Sequence, residues 1–437
     1  MTAPAAPIAG SADLTHRHVL AIALPIIIAN ISTPLIGIVD TAVLGQLGDA
    51  HYIGAVAIGA MIFNMVYWAF GFLRMGTTGL TAQAEGSGNA EEVAATLWRA
   101  LVIAAVCGLA LVILQWPISV ITFVILEGSE PVETGAHTYF QIRIWSAPAA
   151  LANYAFLGWF IGQGRATTAM ALQVLLNGTN AILDALFVLG FGWGVEGVAY
   201  GTLIAEVSAA ACGLWIALGM IRRSGVAIGI ERIVERTALT RVLSMNADIM
   251  IRTLCVLFAF SWFTAKSAQV NDVVLAANAI LLHFSHLAAY FLDGFAFSTE
   301  TLVGQAIGAG RQHRFRRAVK LSGLWAVILS VALTVGFFVF GGLYIDLLTV
   351  NPEIRAEARL FLIWAALVPV AGVACYQLDG IFIGATRTAD MRNMMMLSLA
   401  VYLVSWMILT GLYGNHGLWA ALMIFLIVRG ITLGVRF

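Results

Sequence analysis

The chain has 437 residues, 61% of them hydrophobic and 11% charged, with 23 basic residues against 23 acidic ones and a mean hydropathy of +0.92. A soluble domain carries about 25% charged residues, so this composition excludes a soluble fold and places the chain in a lipid bilayer. The balanced charge names no further partner, and no nucleic-acid partner is expected.

Twelve apolar runs follow one another, at 19–44, 53–79, 94–116, 134–160, 168–190, 197–221, 240–265, 274–306, 316–345, 356–385, 390–412 and 417–436. At 1.5 Å rise per residue, a helix of about 20 residues crosses a hydrocarbon core of roughly 30 Å. Spanning strands would alternate over about ten residues instead, so the fold class is all-α and polytopic. Residues 1–18 lack the charged start and short apolar core of a cleavable signal, and are expected to form a cytoplasmic segment before a retained first helix.

The first run contains Pro25 and Pro34, and sets Thr33, Gly37 and Asp40 along one stripe. The second holds Phe63, Tyr67, Trp68 and Phe70, and the fourth Pro148, Tyr154, Phe156, Trp159 and Phe160. Such rings can line cation cavities, but in spans they also pack or anchor at interfaces. In the fifth run Asn177, Asn180 and Asp184 stand at i, i+3 and i+7 and therefore share a face, as do Thr202 and Glu206 in the sixth. Helix rise places Asp40, Asp184 and Thr202 about 31, 24 and 29 Å from the cytoplasmic ends of their helices, all in the outer half of the first lobe.

A charge inside a span costs about 3 kcal/mol on insertion scales, which makes each such residue a functional candidate. Asp40, Asp184, Asn180, Thr202, Asn177 and Glu206 are the candidate cation-coupling residues. Two carboxylates in a weakly hydrated pocket disfavour joint ionisation, so a proton or a sodium ion can neutralise the site. The candidate sodium position is Asp40, Asn180, Asp184 and Thr202; no other metal or cofactor is expected.

The second half reads differently. Asp248 and Arg252 form an i, i+4 pair early in the seventh run, and Asp293 shares a face with Phe297 and Glu300 in the eighth. Glu300 and Asp379 lie toward the cytoplasmic ends of their runs, near Arg387 and Arg392. These residues are expected to form an inner-gate or structural network. His283 and His286 are three apart without a third ligand, and Cys107, Cys212, Cys255 and Cys375 are isolated within apolar runs. All six read as packing residues.

Basic residues gather in the even-numbered connections: Arg165; Arg222, Arg223, Arg232, Arg236 and Arg241; Arg311, Arg314, Arg316, Arg317 and Lys320; Arg387 and Arg392. The odd connections carry Glu127, Glu130, Glu133, Asp49, Glu196, Asp346 and Glu353, with Lys266 the clearest exception. By the positive-inside rule both termini are cytoplasmic. Almost all arginine is thereby assigned to loops.

Two segments repeat at an offset of 222 residues: Leu80–Gly88 with Leu302–Gly310, and Phe160–Arg165 with Phe382–Arg387. Two six-helix lobes are therefore expected, at 19–221 and 241–437, joined by a basic linker at 222–240. Six is even, so the lobes share one orientation and a pseudo-two-fold axis along the membrane normal, an architecture suited to alternating access. The same offset carries Asp40, Asn180 and Asp184 onto Trp262, Tyr402 and Trp406. The second lobe has no copy of the polar cluster.

The stretches Leu24-Pro25 through Asn30-Ile31, Val39 to Gly45, Leu73 to Gln83, Ser146 to Ala149, Asn180 to Asp184, Leu292 to Ala296 and Leu378 to Arg387 closely resemble the multidrug and toxic compound extrusion (MATE) family. Within it they resemble the DNA-damage-inducible protein F (DinF) branch, over essentially the whole chain. The resemblance implies a V-shaped pair of lobes exporting amphipathic, often cationic, drug-like compounds in exchange for protons or sodium. It further implies that Asp40 is the coupling carboxylate, with Asn180, Asp184 and Thr202 beside it, and that helix 1 bends at Pro25. Another branch couples through a helix 7 glutamate and a helix 10 aspartate; Asp379 matches the latter, but the seventh run has no glutamate, which favours first-lobe coupling.

The expectation is thus a monomeric, inner-membrane multidrug antiporter and not an enzyme. A lipid-linked precursor flippase of the same superfamily is the alternative, disfavoured by the placement of arginine in loops. A membrane-embedded enzyme lacks a nucleophile or metal set, and a channel would need rings of charge.

Overall fold

The structure, a computed structural model, describes residues 14–125, 129–227 and 229–437. Residues 1–13 of the expected N-terminal segment, and Glu127, lie outside the described residues.

The first half comprises α1 (His16–Gly45), α2 (Ala50–Ala69), α3 (Phe72–Gly86), α4 (Ala90–Ile113), α5 (Gln115–Ile125), α6 (Glu130–Arg143), α7 (Ala147–Gly162), α8 (Ala166–Asp184) and α9 (Gly194–Ser224). A short α10 (Ile230–Ile233) leads into α11 (Arg236–Ala268), α12 (Asp272–Gly308), α13 (Gln312–Leu348), α14 (Pro352–Gly384), α15 (Thr388–Tyr413) and α16 (Asn415–Arg436). Among the described residues no strand occurs. They contain twelve segments long and apolar enough to cross a membrane, one for each predicted run.

The segments outrun the apolar stretches: the run 53–79 sits within a span of His51–Gly86, and 240–265 within Ile230–Ala268. Backbone hydrogen bonding continues a helix past the point where its side chains stop favouring lipid, so hydropathy marks the buried centre and not the ends.

The offset of 222 holds for the backbone itself: α12 repeats α2 with α3, α14 repeats α6 with α7, and α11 repeats α1. The reason is visible where helices cross. A Cβ on Gly158 would strike the Arg74 carbonyl oxygen, and one on Gly162 the Thr78 carbonyl oxygen. In the second half Gly380 meets Ala296 and Gly384 meets Glu300 in the same way. Without a hydrophobic force between helices in lipid, close backbone approach through small residues supplies the packing, so each half keeps its glycine interlock.

The halves differ in continuity. α12, α13 and α14 are unbroken, whereas their first-half counterparts are interrupted at Phe70–Gly71, at Leu114 and by a 3₁₀ turn at Ile144–Ser146. Likewise α8 passes at Asp184 into a π-helical stretch, Ala185–Gly190, while α15 stays α-helical.

The chain forms two compact units. Of the described residues, one contains Ile28–Leu243; the other contains Ser244–Phe437 together with residues 14–27. The division therefore runs through α1, two residues after Pro25, and not before it. α1 is helical through both Pro25 and Pro34. In the first unit the expected basic linker is partly anchored: Arg99 is buried, pairs with Glu92 at 2.5 Å, and donates to the carbonyls of Arg232 and Ile233 at 2.7 and 3.2 Å. In the second, Asn278 ties α12 to Ser267 and to Asn415 and Trp419, each at 2.8 Å.

Gly380→Ala places a methyl group against the Ala296 carbonyl and forces α14 away from α12; overpacking of this kind costs about 1–3 kcal/mol. The detergent-solubilised protein should melt several degrees lower, with Gly158→Ala behaving alike; an unchanged melting temperature in both refutes the interlock.

Candidate functional site

In the first unit Asp40 of α1 is 7% exposed and Asp184, the last residue of α8, is fully buried. Their carboxyl groups face each other. No donor among the described residues reaches either Asp184 oxygen at hydrogen-bonding geometry. Gly201 of α9 lets this happen, because a Cβ there would overlap Asp184 Oδ1. The π-helical stretch starts at the next residue, and such bulges recur at functional sites.

One turn before Asp184, the Asn180 amide donates to Thr202 Oγ1 at 3.1 Å, and Thr202 donates to the Val198 carbonyl at 3.0 Å. Asn180 Oδ1 is buried without a donor among the described residues. Asn177 points elsewhere along the face: its amide donates to Ser32 Oγ of α1 at 2.6 Å and its oxygen accepts from Gln173 at 3.0 Å. Asp40, Asn180, Asp184 and Thr202 thus come together on α1, α8 and α9, while Asn177 fastens α8 to α1. Thr33, expected on the Asp40 stripe, is exposed.

Glu206 belongs to a second, adjoining cluster built around Arg143 at the end of α6, a residue the sequence reading passed over. Arg143 donates to Tyr139 Oη at 2.8 Å and lies 3.5 Å from Glu206 Oε1. Its guanidinium sits 4.7 Å from the Phe63 ring centroid, 5.6 Å from Tyr139 and 6.0 Å from Tyr67. Phe63 and Tyr67 of α2, with Tyr139 of α6, are a cradle for a resident cation. Asn153 of α7 holds the Glu206 carbonyl at 2.9 Å, and the 3₁₀ turn after Arg143 bends α6 into α7. Arg143 acts electrostatically on both Asp40 and Asp184, linking the clusters.

Arginine is therefore not confined to loops: Arg74, Arg99, Arg143, Arg252 and Arg429 all stand within spans. Arg143 lay inside the fourth apolar run, and this was the signal that could have found it.

The pairing expected between Asp248 and Arg252 does not form. Asp248 binds Arg392 at 2.5 Å and accepts from Thr388 at 2.9 Å. Arg252 instead pairs with Asp379, which also binds Arg429 of α16 at 2.9 Å. Arg387 turns to Asp390 at 2.7 Å. Helical spacing brought Asp248 and Arg252 onto one face, but each found a partner on another helix. Glu300 is fully buried on α12, and Asp293, half-buried on the same helix, acts on Tyr290 and Tyr376.

Twelve spans in two halves of one topology, with a carboxylate pair in the first half alone, are the architecture of a membrane transporter. The MatE family model matches the chain twice, at residues 25–186 and 248–409, once per half and within one residue of the 222 offset. The chain belongs to the MatE family. It is 40% identical to DNA damage-inducible protein F of Escherichia coli, over 94% of this chain and 90% of that protein. It is 28% identical to the probable multidrug resistance protein NorM of Deinococcus radiodurans, over 100% and 97%. A multidrug resistance MATE transporter solved in an outward-facing conformation shares the fold with a TM-score of 0.88 at 18% identity, over 96% of this chain and 94% of that one.

Removing one member of a buried pair strands the other at a cost of about 3–5 kcal/mol. Arg143→Met should lower the melting temperature by several degrees, and adding Glu206→Gln should recover most of the loss. Equal melting of the single and double variants would show that the pair does not hold α6 to α9.

Proposed function

We propose that the chain is a secondary antiporter of the inner membrane that exports amphipathic, cationic organic compounds in exchange for protons, by alternating access, as a monomer with both termini cytoplasmic. The observation that carries this reading is the Asp40–Asp184 pair. Two buried carboxyl groups that face each other without a neutralising partner of their own can take up and release one positive charge. Asp40 and Asp184 are the exchanging groups, Asn180 and Thr202 orient them, and Glu206 tunes them through Arg143. Pro25, beside the boundary between the compact units, is where α1 would bend. In the second unit Asp248, Arg252, Asp379, Asp293 and Glu300 serve as a network that gates or braces. The similarity to proteins named for multidrug resistance supports the export of drug-like compounds.

Arg143 supplies a fixed positive charge beside the pair, which opposes an added proton and an added metal ion alike. The proton is the first reading because it neutralises a carboxylate without further oxygen ligands. Sodium is the second reading, favoured by the oxygens of Asn180, Asp184 and Thr202 gathered in one place. Four of the five in-span arginines, Arg99, Arg143, Arg252 and Arg429, are each paired with a carboxylate and so lend the flippase reading no free charge.

In reconstituted vesicles, efflux of a fluorescent organic cation should follow an imposed proton gradient and drop at least tenfold in Asp40→Asn. Efflux that follows a sodium gradient keeps the site and changes the ion. Efflux indifferent to both gradients would sink the antiporter reading.

A further inference from the structure

The second unit carries something different where the first carries its carboxylates. Trp262 of α11 and Trp406 of α15 stand 222 residues after Asp40 and Asp184, and like them they meet. Their rings pack edge to face at 90°, with centroids 5.0 Å apart. Phe258, one turn before Trp262, stacks on it at 5.6 Å and extends the wall. Both indole N–H groups are buried without an acceptor among the described residues, as is the hydroxyl of Thr410, one turn beyond Trp406.

Lys266, one turn after Trp262, places its ammonium in the corner between the rings. Its Nζ is 4.7 Å from the Trp262 centroid and 4.8 Å from that of Trp406. Its hydrogen-bond partner is Gln269 Oε1 at 2.9 Å, and among the described residues no carboxylate lies within ion-pair distance of it. A lysine in the last turn of a helix ordinarily extends its head into water or toward the last carbonyls. Here it folds back onto two indoles. This accounts for the clearest basic exception to the charge pattern of the odd connections.

We propose that Trp262 and Trp406 form a binding site for organic ammonium ions, with Lys266 as its tethered occupant. The proposal rests on the reading that the protein moves organic cations. Two electron-rich faces at a right angle suit a weakly hydrated ammonium. They offer no oxygen ligands to an alkali-metal ion. An arriving ammonium displaces the Lys266 side chain, whose position two residues before the end of α11 gives it a short route to solvent. The lysine competes from a fixed tether, so it weakens retention of the ligand and favours release. The half that exchanges a small cation at Asp40 and Asp184 and the half that holds an organic cation thus use equivalent positions on equivalent helices.

The test is calorimetric titration of the purified full-length protein with benzyltrimethylammonium. Lys266→Met should bind about tenfold tighter than wild type, and Lys266→Arg should stay near wild type. Adding Trp262→Leu and Trp406→Leu to Lys266→Met should abolish the gain; if that variant does not fold, Trp262→Phe with Trp406→Phe should reduce it severalfold. Unchanged affinity in Lys266→Met, or a gain that survives loss of both indoles, overturns the proposal and leaves Lys266 a helix-end cap. Absence of binding in every variant overturns it too, and efflux from wild-type vesicles then tells whether the export reading falls with it.

Discussion

A carboxyl group removed from water must be neutralised by a proton, a cation or a paired base, and the organisation of this protein follows from how each unit meets that demand. For two carboxylates of the second unit the answer is internal: Asp379 lies between Arg252 and Arg429, and Asp248 between Arg392 and Thr388. In the first, Glu206 has Arg143, but Asp40 and Asp184 have chiefly each other. A site with an unmet demand for one positive charge is a site that can exchange one.

Backbone irregularity gathers where that demand is unmet. The π-helical stretch follows Asp184, the 3₁₀ turn follows Arg143, and the break at Phe70–Gly71 follows the aromatic cradle of α2. Their counterparts in the second unit are continuous helix. Departures from α geometry redirect side chains and free carbonyls, and in a membrane they persist only where packed neighbours satisfy the backbone. The glycine interlock packs the crossing helices in the same way in both halves. The duplicated frame was kept while the polar contents diverged: carboxylates at Asp40 and Asp184, indoles at Trp262 and Trp406.

Much of the fold was legible in the residues. Twelve spans follow from hydropathy because water-to-lipid transfer is a local property of each run. The repeat follows from two motifs, since glycine at a helix crossing cannot be replaced without moving backbone. Asp40, Asn180, Asp184 and Thr202 could be grouped because helix rise and helix face are fixed geometry, and charge inside a span is rare enough to single them out.

What the sequence could not decide was partnership between helices. Helical periodicity made Asp248 and Arg252 neighbours, yet each reached across to another helix, where the attraction could be satisfied with better geometry. Arg143 was overlooked because its worth depends on Glu206 of α9 and Phe63 of α2 as well as on Tyr139 one turn back along its own helix. The offset of 222 led to Trp262 and Trp406, but not to the lysine held between them. Sequence alone determined what each segment must bury; only the tertiary structure determined which buried group neutralises which, because that depends on angles and distances between helices that no single helix encodes.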